Sequence, residues 1–425
     1  MSLTAFLQAR YGRGFPSRAA IEAHHARAFL RFRQKVMPRS PFYDVYADTP
    51  LEALPRMDKA RLMAEFSRIN TCGIDRDAAM AVALRAEASR DFRPMIGAVS
   101  VGLSTGTSGQ RGLFLATPAE RRLWAATMLG RYWPELWRRQ RVAFFMRADN
   151  ALYRGLSNPL VEFAFFDLLA DFDGHLPRLA GLDPTVLIAP ARVLGLLAEA
   201  QLAGALTLAP RRVISVAEVL SPEDAALAAR AFGRRVDQVY QATEGVLAMT
   251  CRAGNLHLNE GLLRIDREVI DPQTGAFCPV IHDFTRESLP ILNYRLNDVL
   301  VPDPAPCPCG CASLRIARIE GREDDMLWWL SATGPRLVTA EAIRTAIAGL
   351  PQPLRDYRVI QQDGVLHLWL EGAAPGAAGA LDAALAALAL RLGCRCPPLV
   401  FHAGLPPEAD AKRRRIRVLD RRAAA

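Results

Sequence analysis

No run in this 425-residue chain is long and apolar enough to read as a membrane span. The most apolar stretch, Thr185 to Pro210, is interrupted by Pro190, Arg192 and Glu199, whereas a spanning helix needs about 20 consecutive apolar residues. The opening MSLTAFLQARYGRGFP lacks the charged-then-apolar order of a secretion signal, so a reducing cytoplasm is the expected setting and no membrane role is implied. Low-complexity sequence is limited to GAAPGAAGA, which reads as a loop inside a domain. Two familiar nucleotide signatures are missing too. Gly109 is followed by Gln110 and Arg111 where a P-loop needs Lys and then Ser or Thr, and Gly102, Gly106 and Gly109 break the one-three-six spacing of a dinucleotide fingerprint.

What is present is a globular composition, 51% apolar, in a chain long enough for two or three domains. The net charge of +9, carried mostly by arginine, permits an anionic partner but says nothing about fold. AAIEAHHARAFLRFRQKVM and LEALPRMDKARLMAEF predict helices near the N-terminus. From Ala98 to about Tyr240 short apolar strands, beginning with MIGAVSVGLS, alternate with helical stretches such as PAERRLWAATMLGRYW and LSPEDAALAARAFG, the pattern of an α/β domain. LHLNEGLLRIDREVIDPQTGAFCPVIH then alternates around Pro272 and Gly275 and predicts a small antiparallel sheet. After Gly321 the helix and strand mixture suits one small domain. The expected fold is therefore α/β, with a large N-terminal region of several subdomains over residues 1–321 and a small, mobile α+β domain over 322–425.

Five elements carry chemistry. The loop Ser104, Thr105, Gly106, Thr107, Ser108, Gly109 exposes backbone N–H groups and hydroxyls suited to phosphate oxygens, with Arg111 as its cation; the bland alternative is a hairpin turn. VYQATEG brings Tyr240, Thr243 and Glu244 to a strand end, where a hydroxyl can meet phosphate and a carboxylate can hold Mg²⁺. Asp298 in LNYRLND can accept both hydroxyls of a ribose. GREDDML supplies Arg322 and Asp324 at the domain boundary, and DAKRRRIR supplies Lys412. Singly, each suits an ordinary surface residue.

Together, in this order, they resemble the adenylate-forming superfamily of acyl-CoA ligases, and most closely its phenylacetate-CoA ligase branch. VISVAEVLSP is similar to the family's adenine-side segment around Ala217 and Glu218, and GREDDML followed by GPRLVTAEAI is similar to its hinge segment. The resemblance implies activation of a carboxylic acid, with an aromatic one expected, as an acyl-adenylate, then transfer to coenzyme A. An amine, a carrier protein or transfer of AMP itself stays open as the second half. It further implies that residues 104–109 cradle the β- and γ-phosphates of ATP with Arg111 near them, that Thr243 touches the α-phosphate, and that Glu244 holds Mg²⁺. Asp298 would bind the ribose, Tyr240 would lie along the adenine, Arg322 would join the nucleotide set, Lys412 would bridge carboxylate and phosphate, and Asp324 would be the pivot of the C-terminal domain. Where the family carries lysine after proline the loop has GQRG, and RLND replaces its Thr-Gly pair before the ribose aspartate.

The cysteines raise a separate question. PCPCGC gives Cys307, Cys309 and Cys311, and TCRAGNLH gives Cys251 and His257. Zinc in a structural site takes four Cys or His ligands from two short loops, which these segments supply, although the spacing is Cys-x-Cys; free thiols in a surface turn are the alternative. Phe163, Phe165 and Phe166 are either an acyl-pocket wall or plain core. A nucleic-acid binder built on AKRRRIRVLDRR and a pI near 9.4 ranks below, because no recognised module accompanies it. Oligomeric state is left open, a homodimer included.

Overall fold

The computed structural model describes residues 2–12, 14–90, 94–104, 111–135, 137–147, 159–351, 354–406 and 415–419. These fall into two compact units. The first holds residues 1–266, 280–295 and 303–317; the second holds 267–279, 296–302 and 318–425.

The first unit begins with helices α1 (Leu3–Tyr11), α2 (Arg18–Lys35), α3 (Lys59–Ala64), α4 (Phe66–Ile69) and α5 (Arg76–Ser89). Ser17, Asp58 and Asp75 start three of them by accepting backbone N–H groups of the first turn, the role short polar side chains play at N-caps. A three-stranded antiparallel sheet follows, β1 (Met95–Ile96), β2 (Val99–Leu103) and β3 (Leu113–Ala116). The single strand expected over MIGAVSVGLS is thus two, because Gly97 at φ 58° turns the chain and sets Ile96 against Val99. At Gly102 on β2 a Cβ would lie 2.1 Å from the Phe114 ring, so any side chain there would have to displace that ring.

Helix α6 (Pro118–Tyr132) opens with a capping box between Thr117 and Glu120. It leads into the main sheet, whose strands are β4 (Gln140–Met146), β5 (Val161–Asp167), β6 (Val186–Ala189), β7 (Arg212–Val216) and β8 (Val236–Ala242). They run parallel in the order β5-β4-β6-β7-β8, interleaved with α7 (His175–Leu182), α8 (Ala191–Leu202) and α9 (Pro222–Phe232). Alternate residues feed two cores. Val142, Val186, Ile214 and Val239 pack with Phe6 of α1 and Ala126 and Leu129 of α6, while Ala143, Leu187 and Val213 pack with Leu179, Leu194 and Phe232 of the other three helices. Phe166 belongs to this second core and stacks on Phe145 at 4.5 Å between ring centroids, so it is core rather than pocket wall.

The strand-rich section does not stand as a sheet of its own. Strand β9 (Gly245–Thr250) turns back antiparallel onto β8, with Ala242 opposite Gly245, so Thr243 and Glu244 are the whole of a two-residue hairpin turn. Such a tight turn forces pairing with the strand just completed. Strand β10 (Leu256–Leu258) pairs with β9, extending the same sheet. Next come β11 (Leu263–Asp271), β12 (Ala276–Asp283), β13 (Ile291–Arg295), β14 (Asp298–Asp303) and β15 (Arg315–Arg322). The start of β15 returns antiparallel to β10, His257 opposite Arg315.

In the second unit β12 and β14 pair through Phe277 and Leu300, and Ala276, Cys278, Val299, Val301, Met326 and Leu337 form an apolar cluster. A hairpin of β16 (Leu327–Ser331) and β17 (Gly334–Val338) buries Trp329 completely. A four-stranded sheet of β18 (Asp356–Gln362), β19 (Val365–Glu371), β20 (Leu399–His402) and β21 (Ile416–Val418), in the order β20-β19-β18-β21, shares a core with α10 (Ala340–Ala348) and α11 (Ala377–Leu392). The architecture is the expected α/β type with a smaller α+β C-terminal part. Among the described residues no helix is long and apolar enough to cross a membrane.

Candidate active site

The glycine-rich loop springs from the β2–β3 hairpin, as the sequence predicts, and its base is tied shut. Ser104 N–H donates to Gly112 O at 2.7 Å, and Gly112 N–H donates to Ser104 Oγ at 2.7 Å. Lys59, the first residue of α3, donates from Nζ to the same Oγ at 3.0 Å. Sequence reasoning missed this lysine because 45 residues separate it from Ser104. Arg111 is engaged elsewhere: its guanidinium forms a two-pronged pair with Glu87 of α5 and reaches Ser104 only through Nε to the backbone oxygen, at 3.4 Å. Thr105, Gly106, Thr107, Ser108 and Gly109 lie outside the described residues, as does Lys412.

Thr243 and Glu244 stand at the tip of the β8–β9 hairpin. Glu244 is buried, at 8% exposure, and both carboxylate oxygens accept hydrogen bonds: Oε1 from Tyr294 Oη at 2.7 Å, Oε2 from Thr243 Oγ1 at 2.8 Å. Each oxygen retains a lone pair, so this oriented carboxylate suits a hard cation such as Mg²⁺. Arg286 fixes the tip from behind, donating from Nη1 to Thr243 O at 2.9 Å and from Nη2 to Leu115 O, on β3, at 3.4 Å. Ser288 Oγ reaches the same Leu115 oxygen and Glu120 Oε1. The hairpin that carries the glycine-rich loop and the hairpin that carries Glu244 are thereby joined through residues 286–288.

Tyr240 is half-buried on β8. Ala217 adopts φ 63°, a left-handed conformation uncommon for a residue with a Cβ. Glu218 is exposed and caps α8, its Oε2 accepting the Arg192 N–H at 3.0 Å. In the second unit, Asp298 opens β14 and Arg322 closes β15, both half-buried. Asp324 lies in the short 3₁₀ turn Glu323–Asp325. Asn297 holds that turn, donating from Nδ2 to Asp324 Oδ2 at 2.9 Å and accepting the Glu323 N–H at 2.7 Å.

The cysteine-rich segments also meet. Cys251, His257, Cys307 and Cys309 each bring one ligand atom to within 4.8 Å of the others. Cys311 is not of this group; its Sγ accepts the Ser313 N–H at 3.5 Å and packs against Gly14, where a Cβ would come within 2.4 Å of it. Cys394 and Cys396 are not in the group either.

Searches by sequence find no matching family model and no matching curated protein. Solved structures do match. A 2-hydroxyisobutyryl-CoA ligase in an open conformation, in complex with 2-HIB-AMP and CoA, superposes with a TM-score of 0.65 over 97% of this chain and 94% of that one, at 17% identity. The same ligase in its postadenylation state with R3-HIB-AMP gives 0.62 over 97% and 92%, also at 17% identity. In its thioesterification state it gives 0.56 over 97% and 91%, at 16%. This chain has the fold of the adenylate-forming ligases.

Proposed function

We propose that this chain activates a carboxylic acid with ATP, forming an acyl-adenylate and pyrophosphate, and then passes the acyl group to coenzyme A. The observation that carries the reading is the paired hairpins: a hydroxyl- and glycine-rich loop with Lys59 at its base, joined through Arg286 and Ser288 to a tip presenting Thr243 and the oriented carboxylate of Glu244. The likeness to a CoA ligase over nearly the full chain supports it.

A carboxylate acylates poorly because its leaving group would be oxide. Attack of one carboxylate oxygen on the α-phosphorus of ATP, with loss of pyrophosphate, makes AMP the leaving group; the thiol sulfur of coenzyme A then forms the thioester and releases AMP. The first step brings two anions together, so cations and aligned donors do most of the work. Residues 104–109 take the β- and γ-phosphates, with Arg111 and Lys59 as the cations that reach Ser104 at the base of the loop. Thr243 takes the α-phosphate. Glu244 would hold Mg²⁺, which would supply positive charge against the phosphates. Tyr240, Ala217 and Glu218 flank the adenine, Asp298 and Arg322 take the ribose side, and Lys412 bridges carboxylate and phosphate. The segment from Arg322 onward turns about Asp324 between the two steps, in the manner of hinges confined to a few residues. The acid is proposed to be aromatic, as the resemblance to the phenylacetate-CoA ligase branch implies.

The test is pyrophosphate release from ATP and Mg²⁺ across aromatic and aliphatic acids, with and without coenzyme A. Release dependent on one acid and accelerated by coenzyme A, with a thioester formed, supports both steps. Release indifferent to coenzyme A replaces the acceptor by an amine or carrier protein. No release with any acid sinks the proposal.

A further inference from the structure

The cysteine-rich stretch takes no part in that reaction, yet its geometry is specific. Cys251 follows β9, His257 lies on β10, and Cys307 and Cys309 sit in the loop that enters β15. Cys251 Sγ is 3.7 Å from Cys307 Sγ, and Cys309 Sγ is 3.7 Å from His257 Nε2. A tetrahedron with zinc–sulfur bonds of about 2.3 Å has edges of about 3.8 Å between sulfurs, and a thiolate–imidazole edge is slightly shorter. A disulfide would need the sulfurs at about 2.05 Å.

We propose that Cys251, His257, Cys307 and Cys309 form a structural zinc site. The surroundings suit it. His257 Nδ1 lies 2.8 Å from Ser313 O, which assigns the ring proton to Nδ1 and leaves Nε2 as the ligand atom facing the sulfurs. Asn255 Nδ2 donates to Cys307 Sγ at 3.2 Å, and the Cys311 N–H donates to Cys309 Sγ at 3.4 Å. Both contacts favour thiolates. Cys251, His257 and Cys309 are 5 to 6% exposed and Cys307 is half-buried, so three of the four ligands are shielded from water. The donor set of three soft sulfurs and one imidazole suits a single zinc ion, where an iron–sulfur cluster usually takes four cysteines.

On binding, three thiols release their protons to solvent, the imidazole stays neutral, and no electron is transferred. Four protein ligands complete the tetrahedron, so the ion has no open position for substrate and its part is to hold the fold. It pins the β9–β10 hairpin to a loop some fifty residues further along the chain, and in such sites metal affinity contributes directly to folding. This inference is independent of the ligase reading.

The experiment is elemental analysis of the full chain, purified without chelator and without metal-affinity resin, together with cobalt exchange and two serine variants. One zinc per chain is expected in the wild type and in Cys311→Ser, with the metal lost in Cys309→Ser. The cobalt form should show intense visible bands of tetrahedral cobalt and thiolate-to-cobalt charge transfer. If Cys309→Ser fails to fold, the wild-type stoichiometry and cobalt spectrum still decide. Folded, metal-free protein with freely titrating thiols, a Cys251–Cys307 disulfide, or iron with sulfide in place of zinc would each overturn the proposal.

Discussion

Glu244 accepts from two different donors, and that fixes its direction as well as its charge. Glu244→Gln removes the charge but keeps the shape, so acid-dependent pyrophosphate release is expected to fall by about 100-fold, the usual scale for losing one preorganised electrostatic group. Tyr294→Phe removes only one hydrogen bond to the carboxylate and should cost about 1.5–3 kcal/mol of transition-state stabilisation, read in the same assay. Lys59→Met should raise the KM for ATP by roughly tenfold or more, one charge-assisted contact being worth about 1.5–3 kcal/mol, while conversion of supplied acyl-adenylate to thioester stays intact. Lys59→Arg should recover only part of the loss, because a planar fork replaces a point charge. At this scale the sequence is legible where a short motif places its residues side by side, as at Thr243 and Glu244, which share the hairpin tip. It is silent on Lys59, Tyr294 and Arg286, whose roles arise across separations of 45, 50 and 43 residues. One signal lay in plain view: the chain has only three lysines, Lys35, Lys59 and Lys412, among 53 basic residues.

Among the elements, two short segments invite tests. The turn Glu323–Asp325 is held from both its backbone and its side chain by Asn297, the residue that stands where the family pattern has glycine. Asn297→Ala is expected to cost about 1 kcal/mol of local stability and to change the ratio of the two half-reactions when each is measured alone. On β18, Asp356 is buried. Burial alone would raise its pKa, but hydrogen bonds from Arg358, the Tyr357 N–H and Arg415 outweigh that and hold it at about 2, below the ordinary 3.8. The folded value being depressed, these contacts add stability that is complete above about pH 4 and is lost as pH falls toward 2. Asp356→Asn should destabilise the second unit by about 1.5–3 kcal/mol at neutral pH, since Arg358 and Arg415 lose their charged acceptor, and should flatten the acid limb of thermal unfolding measured against pH. Helix and strand types were legible from periodicity and capping residues. The fate of the strand-rich section was not, because alternation announces a strand but not its neighbour; the two-residue turn at Thr243–Glu244 decided that β9 would join the main sheet.

Across the whole molecule, the main chain passes between the two compact units several times, at 266–267, 279–280, 295–296, 302–303 and 317–318. A linear reading with one boundary near Arg322 cannot register such excursions, since composition shifts reveal where a chain changes character and not where it returns. Asp324→Pro, a change confined to the 3₁₀ turn, is expected to separate the half-reactions, sparing one and suppressing the other; equal loss of both would remove Asp324 from the role of pivot. The tip of the β8–β9 hairpin carries a last consequence, for how this scaffold can diversify. The β8–β9 ladder already spends one extra residue on a register shift between Tyr240 and Gln241, and a residue inserted at the two-residue tip would flip the side chains between tip and shift to the opposite face of the sheet. Val246, Leu247, Ala248 and Met249 are all buried, so neither face would tolerate it. Variants of this chain, natural or engineered, are therefore expected to keep the spacing at the tip, and new acids must be accommodated by remodelling elsewhere.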